Sequence, residues 1–444
     1  MPFDFFRRTE PKGGVAPDDL AGRAADAGAD PSPEGVLLEE AEADGYVGYA
    51  LQLDAQMRVQ GYRFTWREAV PGADASAQCK ALVGCIAKHL NPQRGWRLGR
   101  LTVFLDVTVD ALFLAELQAL PPDNIVLCMG MEDLADADTR SMLLFLREQG
   151  FGFMLRDAKA MPREAELLEI VTHLDVGAGD PQLIADIRQH ETADARPIQL
   201  IATRMNGWEG FEVCAAHRVD VFVDGQQPRP PVKEGGGDLQ PESLLIVRLM
   251  QMLKRNENVR SIEAALKRDA ALTYRLLRHI NSPAIGVGVE VTSLRHAVAM
   301  LGYQPLFRWL SLLLATSNRE SSHFMMKRAI MRGRFVELMG QGMLPASDSD
   351  NLFVVGMFSL IDQLLGIPME EVLSKVQLTE AVQQAILARK GVYAPFLSLV
   401  EACETDSGQA PRLAEALFVS AGQVNAAHLS AMVWSQEASA LEAP

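Results

Sequence analysis

The chain has 444 residues, of which 48% are hydrophobic and 22% charged, the balance of a folded soluble protein. At roughly 100 to 200 residues per domain, that length implies two domains with a tail rather than one core. A formal charge of -15 at pH 7 excludes broad electrostatic attraction to nucleic acid or anionic lipid, so neither is expected as a partner. Cys79, Cys85, Cys128, Cys214 and Cys403 lack the paired spacings of a disulfide framework or a zinc site and read as buried or idle thiols of a reducing cytoplasm. The opening MPFDFFRRTEPKGG has no apolar core of signal-peptide length, and no later apolar run reaches the about 20 residues that span a bilayer. A cytoplasmic protein without a membrane partner is the expectation.

Residues 1–40 are rich in Gly, Ala, Pro and Asp and predict a flexible tail, because they carry too little apolar surface to offset the entropy of ordering. YVGYALQL from Tyr46 and VQGYRFTWR from Val59 alternate in polarity and predict a β-hairpin across LDAQMR. Strand-like runs follow at LTVFLDV (101), IVLCM (125), GFMLR (152), PIQLIA (197) and VDVFVD (219). Segments 132–149 and 162–172 lie between them with apolar residues at helical spacing, which predicts βα units and a largely parallel sheet. Pattern alone leaves a barrel and a doubly wound sheet both open.

From Gln226 to Glu242, QQPRPPVKEGGGDLQPE combines prolines that block pairing with glycines that free the backbone, and predicts an interdomain linker centred on 229–238. Beyond it the chain reads as helical. Ile262, Leu266, Leu272, Leu276, Leu277 and Ile280 recur at helix-like intervals, and LFRWLSLLL from Leu306 predicts a central buried helix. Asn281, Ser282 and Pro283 are suited to end a helix, and Thr292 or Ser293 to cap the next one.

The helix KRDAALTYRLLRHINSPA, then TSLRHAVAMLG, then LFRWLSLLL, in that order, resembles the HDOD domain, and the likeness extends more weakly through residues 352–373. That domain is a helical relative of the HD phosphohydrolases that lacks their metal ligands, so the resemblance implies an all-α domain acting by contact. An active relative needs adjacent His and Asp to hold a metal that activates water. No His-Asp dipeptide occurs in the chain, and Ser359 and Leu360 stand where the resemblance places it. Asp362 nearby reads as a solvated helix residue, and His323 and His428 as surface or satisfied core residues. Arg278, His279, Asn281, Arg295 and His296, around the predicted helix end, either shape a turn only or form part of a protein-binding surface.

In the first half, GYRFTWR at 61–67 is similar to the GYELLFR segment of EAL domains joined to HDOD domains, and PPDNIVL at 121 also resembles that family. The resemblance implies a degenerate α/β barrel of the TIM type over residues 41–228, the linker, and a helical HDOD-like domain over 239–444. EAL domains hydrolyse cyclic di-GMP with carboxylates and an amide holding two metal ions roughly 3.5 to 4 Å apart. By the resemblance, the glutamate of the namesake motif is replaced by Arg63, the asparagine of the next strand by Leu105 or Asp106, and a following glutamate by Cys128. At the paired aspartates the chain has Arg156 and Asp157, so one is replaced and one kept. The later lysine segment falls on AGD, with Ala178 for the lysine and Asp180 kept, and two further glutamates become Thr203 and Asn206. The literal EAL at Glu415 to Leu417 lies in a helical pattern and is a chance match.

No catalytic residue, metal site or cofactor is therefore expected. The expectation is a bacterial signal-transduction protein that works through protein partners, with a pseudo-enzyme barrel. The alternative is a sensor that binds cyclic di-GMP without cleaving it, with Arg63 and Arg67 on its phosphates, although Arg67 reads better as an ordinary charged strand end.

Overall fold

The computed structural model describes residues 45–68, 72, 74–92, 95–190, 197–205, 207–223, 241–281, 291, 293–316, 323–345, 348–376, 378–405 and 407–440. The expected tail and linker, together with Ser282, Pro283, Thr292 and Asn206, lie outside them.

Strands β1 (Gly45–Leu53) and β2 (Val59–Glu68) form the expected hairpin. The chain continues through α1 (Ala75–Leu90), β3 (Thr102–Asp106), α2 (Ala115–Gln118), β4 (Ile125–Met129), α3 (Ala137–Gln149), β5 (Gly152–Leu155), α4 (Ala165–Ile170), β6 (His173–Asp175), α5 (Pro181–His190), β7 (Gln199–Ala202), α6 (Gly207–Ala216) and β8 (Val221–Val223). These strands close into one barrel in chain order. The two alternatives left by the sequence pattern are thereby resolved in favour of the barrel. Only β1 runs against its neighbours, antiparallel to both β2 and β8, while every other pair is parallel. Phe104, Val126, Cys128, Met154, Ile201, Val221 and Val223 fill the interior, with Ala50 against them. They come from alternate positions of successive strands, as a pleated barrel requires.

Thirteen further helices follow among the described residues: α7 (Pro241–Lys254), α8 (Val259–Leu266), α9 (Ala270–Ile280), α10 (Leu294–Leu301), α11 (Tyr303–Thr316), α12 (His323–Gly340), α13 (Ser349–Phe358), α14 (Ile361–Leu365), α15 (Met369–Val376), α16 (Glu380–Ala388), α17 (Ala394–Glu404), α18 (Ala410–Ala416) and α19 (Ala421–Ala440). Their starts carry local caps. Asn258, Asp269 and Ser293 accept hydrogen bonds from the backbone amides of Ser261, Leu272 and His296. Leu306 to Leu314 of α11 are all buried, Arg308 and Ser311 included, as expected of a central buried helix.

The residues group into two compact units that do not follow chain order. One holds residues 238–318 and 370–379, hence α7 to α11 and nearly all of α15. The other joins 40–237 to 319–369 and 380–444, so the barrel shares a unit with α12 to α14 and α16 to α19. The reason is visible at β1, which pairs with β8 only at Gln52 and Leu53 and leaves the rest of that edge to be covered. Helix α19 covers it. Asn425 accepts from the Val47 amide at 2.8 Å and donates to the Gly45 carbonyl at 2.9 Å, taking the place of a strand partner. His428, one turn on, is buried against Tyr49 and stacks on Phe335 of α12 with ring centroids 4.6 Å apart. Helices α12 and α13 cross closely because Gly333 faces Gly356. A Cβ on Gly356 would come within 2.7 Å of the Arg332 carbonyl oxygen.

Candidate functional site

Parallel strands aim their last inward residues at the C-terminal mouth of the barrel, where such folds carry their chemistry. Here that ring is built from Arg63, Asp106, Cys128, Arg156, Asp175 and Thr203. Arg63 donates from Nε and Nη2 to both oxygens of Asp106, at 2.8 to 3.1 Å. Burial works against its charge, but the Asp106 carboxylate outweighs it and holds the guanidinium protonated more firmly than usual. Arg156 reaches the same carboxylate at 3.8 Å and Asp133 at 3.6 Å. Cys128 is fully enclosed; burial, with the Asp106 carboxylate adding to it, pushes its thiol well above the ordinary value. A thiol so held is neutral and a poor cation ligand.

Asp175 went unnoticed in the sequence. It ends β6, is buried, and accepts from the Gly177 amide at 2.8 Å and the Thr203 hydroxyl at 2.6 Å. The sequence reading singled out Ala178 to Asp180 instead of Asp175. β6 stops at Asp175, and Asp180 lies beyond a turn, accepting from the Gln182 amide at the start of α5. The run VTHLD gave little warning, since a three-residue strand has no alternation to read. Asp157 takes a left-handed conformation (φ 49°) directly after β5 and pairs with Arg204. The mouth thus sets guanidinium against carboxylate, at Arg63 with Asp106 and at Arg204 with Asp157. Among the described residues no three His, Cys, Asp or Glu side chains converge as a metal site would require.

Arg67 stands away from this ring. Its Nη1 donates to the carbonyls of Cys403 and Thr405, both at 2.8 Å, where it binds the C-terminal end of α17. The two arginines named for phosphate contact are therefore not brought together: one points into the mouth and the other fastens a helix to the barrel.

In the helical part, Asn281 caps α9 and exchanges two hydrogen bonds with the Val291 backbone, at 2.8 and 2.9 Å. His279 is half-buried, stacked on Trp309, and burial pulls its pKa down to about 4. Exposed Arg278 lies over the ring of Tyr274, itself 64% exposed; exposed Arg295 pairs with Glu263 at 3.0 Å, and His296 faces outward in the first turn of α10. Ser359 and Leu360 are buried. The Ser359 hydroxyl donates to the Gly356 carbonyl at 2.6 Å and accepts from Arg332 at 2.8 Å. Asp362 is half-buried rather than solvated, because α14 turns back against α12 and α13. Glu415 to Leu417 end α18, far in sequence from any strand.

The sequence profile of the HDOD domain matches residues 240–383. The chain is 24% identical over 272 residues to the uncharacterized protein YuxH of Bacillus subtilis, covering 59% of this chain and 66% of that protein, just under two thirds. It is 24% identical over 374 residues to the cyclic di-GMP phosphodiesterase CdgJ of Vibrio cholerae, covering 81% of this chain and 84% of that one. Among solved structures, an EAL domain protein of Listeria monocytogenes is matched over 42% of this chain and 89% of its own, at 13% identity and a TM-score of 0.33. Among the described residues no single helix is long and apolar enough to cross a membrane. With a closed eight-stranded barrel followed by helices that match the HDOD domain, and a relative of like length in a cyclic di-GMP phosphodiesterase, the chain is consistent with the EAL-HDOD family.

Proposed function

We propose that this is a cytoplasmic signalling protein that turns over no substrate and acts through protein contacts made by its HDOD domain, with the barrel as a pseudo-enzyme. The carrying observation is the Arg63 to Asp106 pair. A guanidinium seated in the mouth and bonded to the nearest carboxylate opposes a divalent cation there twice: it adds like charge and it occupies the ligand oxygens. Cys128, held neutral, offers no substitute. The contact surface in this reading is the exposed basic face of α9 and α10, with Arg278, Arg295 and His296 outward and Asn281 and His279 shaping its support.

Purified protein incubated with cyclic di-GMP and magnesium or manganese is expected to release no linear dinucleotide. Metal-dependent release that disappears in Asp106→Ala and Asp175→Ala variants would overturn the reading. The Vibrio relative is named for acting on cyclic di-GMP, and a second reading keeps that ligand without the cleavage: the barrel binds cyclic di-GMP intact. Isothermal calorimetry separates the two, since the first expects no heat and the second expects saturable binding weakened by Arg63→Met.

A further inference from the structure

Charge is unevenly divided along this chain. Residues 238–318 and 370–379, which share one compact unit, contain eleven Lys and Arg against eight Asp and Glu, a formal +3, so the remaining residues carry -18 for the whole to reach -15. The excess is displayed on α8 to α10 and the turn between α8 and α9, where Arg260, Lys267, Arg268, Arg275, Arg278 and Arg295 are all exposed. The described carboxylates there, Glu263 and Asp269, are half-buried and already engaged. Glu263 accepts from Lys267 at 2.7 Å and from Arg295 at 3.0 Å, and Asp269 accepts from the Leu272 amide. Tyr274, 64% exposed, and Met300, 41% exposed, add apolar surface to the same helices, in the mixture of arginine, tyrosine and methionine that protein interfaces favour.

One segment of the chain has the opposite composition. Residues 15–44 carry nine Asp and Glu against Arg23 alone, a formal -8, and Val36, Leu37 and Leu38 stand directly before Glu39, Glu40, Glu42 and Asp44. The segment ends where β1 begins, at Gly45, and thirty residues reach about 100 Å when extended, far enough for a face remote from β1. Exposed ion pairs are individually weak and screened by salt. Tethering supplies what they lack, because a segment held on the same chain acts at an effective concentration on the order of millimolar. Nucleic acid has no such advantage, and the -18 carried elsewhere repels it.

We propose that residues 15–44 dock on the exposed basic face of α8 to α10 of their own chain, their carboxylates among its cations and Val36, Leu37 and Leu38 supplying the apolar contacts. The inference deepens the reading of α9 and α10 as a protein-contact face and rests on it for its consequence, that a partner taking that face displaces the segment. Docking is read without any partner, so its failure and the failure of the contact reading are told apart.

Arg23 is the one trypsin site in the segment. In full-length protein at low salt, cleavage after Arg23 is expected to be about fivefold slower than in a synthetic peptide of residues 15–44, and about fivefold slower than in a full-length Arg275→Glu, Arg278→Glu variant. A second full-length variant has its nine carboxylates from Asp18 to Asp44 replaced by Asn or Gln. The peptide should bind this neutralised chain in calorimetry, about tenfold more weakly when salt is raised to about 0.5 M, and give no heat with wild type, whose own segment holds the face. The neutralised chain, unaltered in its helices, decides the matter if the arginine variant fails to fold. Cleavage of wild type as fast as the free peptide, or no peptide heat with the neutralised chain, would overturn the proposal. So would protection that is lost on dilution, which places the segment on a second copy, or a single-stranded oligonucleotide that binds the neutralised chain more tightly than the peptide does, which assigns the face to nucleic acid.

Discussion

Buried groups make the stability of this protein depend on acid, and His428 and Glu404 do so in separate pH ranges. Burial pulls the pKa of His428 down to about 4, and the ring sits neutral between Tyr49 and Phe335. Its folded pKa is depressed, so its contribution is complete above pH 6.5 and is lost as the pH falls towards 4. At about 1.36 kcal/mol per pH unit, roughly 2 kcal/mol should disappear between pH 7 and pH 5. Replacement by phenylalanine keeps the stacking and removes the proton. We therefore expect His428→Phe to lose about 2 kcal/mol less than wild type over that interval, read from urea midpoints at the two pH values; an equal loss in both proteins would refute the assignment. Glu404 acts lower. Burial would raise its carboxyl, but Arg332 and Arg328 reverse that and hold it at about 2, so its stabilisation is lost only as the pH falls from about 4.5 towards 2.

Among the elements, α19 does work at β1 that a strand would do in a symmetric barrel. Asn425→Ala leaves the Val47 amide and the Gly45 carbonyl buried without partners, at a cost of about 2 to 4 kcal/mol. Asn425→Asp keeps the acceptor and loses the donor, and should fall between the two in urea denaturation. A fall no larger than a few tenths of a kcal/mol for Asn425→Ala would mean that water replaces the amide. The strands and helices themselves were largely legible, because the alternating run YVGYALQL and the continuous apolar run IVLCM each marked its own strand. β6 was not, being too short to show a period, and with it went Asp175. Nor does local pattern say that Asn425 is destined for β1 or that Arg332 pairs with Glu404, 72 positions on. Arg63 itself stood out in its strand run; its partner Asp106 became definite only through the register that sets Phe64 beside Leu105.

For the whole molecule, the compact grouping means that the linker is the wrong place to cut. A fragment of residues 239–444 would strip the barrel from α12, α17 and α19, and one of residues 41–228 would bare the β1 edge. We expect both fragments to bind a hydrophobic dye and to elute as aggregates in gel filtration, whereas the full chain unfolds with its barrel and helical signals in step. A monomeric, dye-silent 41–228 fragment would show the barrel to be self-sufficient. The bond from Asn425 to Val47 also orders events during synthesis. On a ribosome the first strand emerges 378 residues ahead of the side chain that covers its edge, and every other helix is made in the interval. The barrel must wait nearly the full length of translation with one edge unprotected, so association between nascent chains, and rescue by chaperones that cover exposed strands, should be concentrated in that interval.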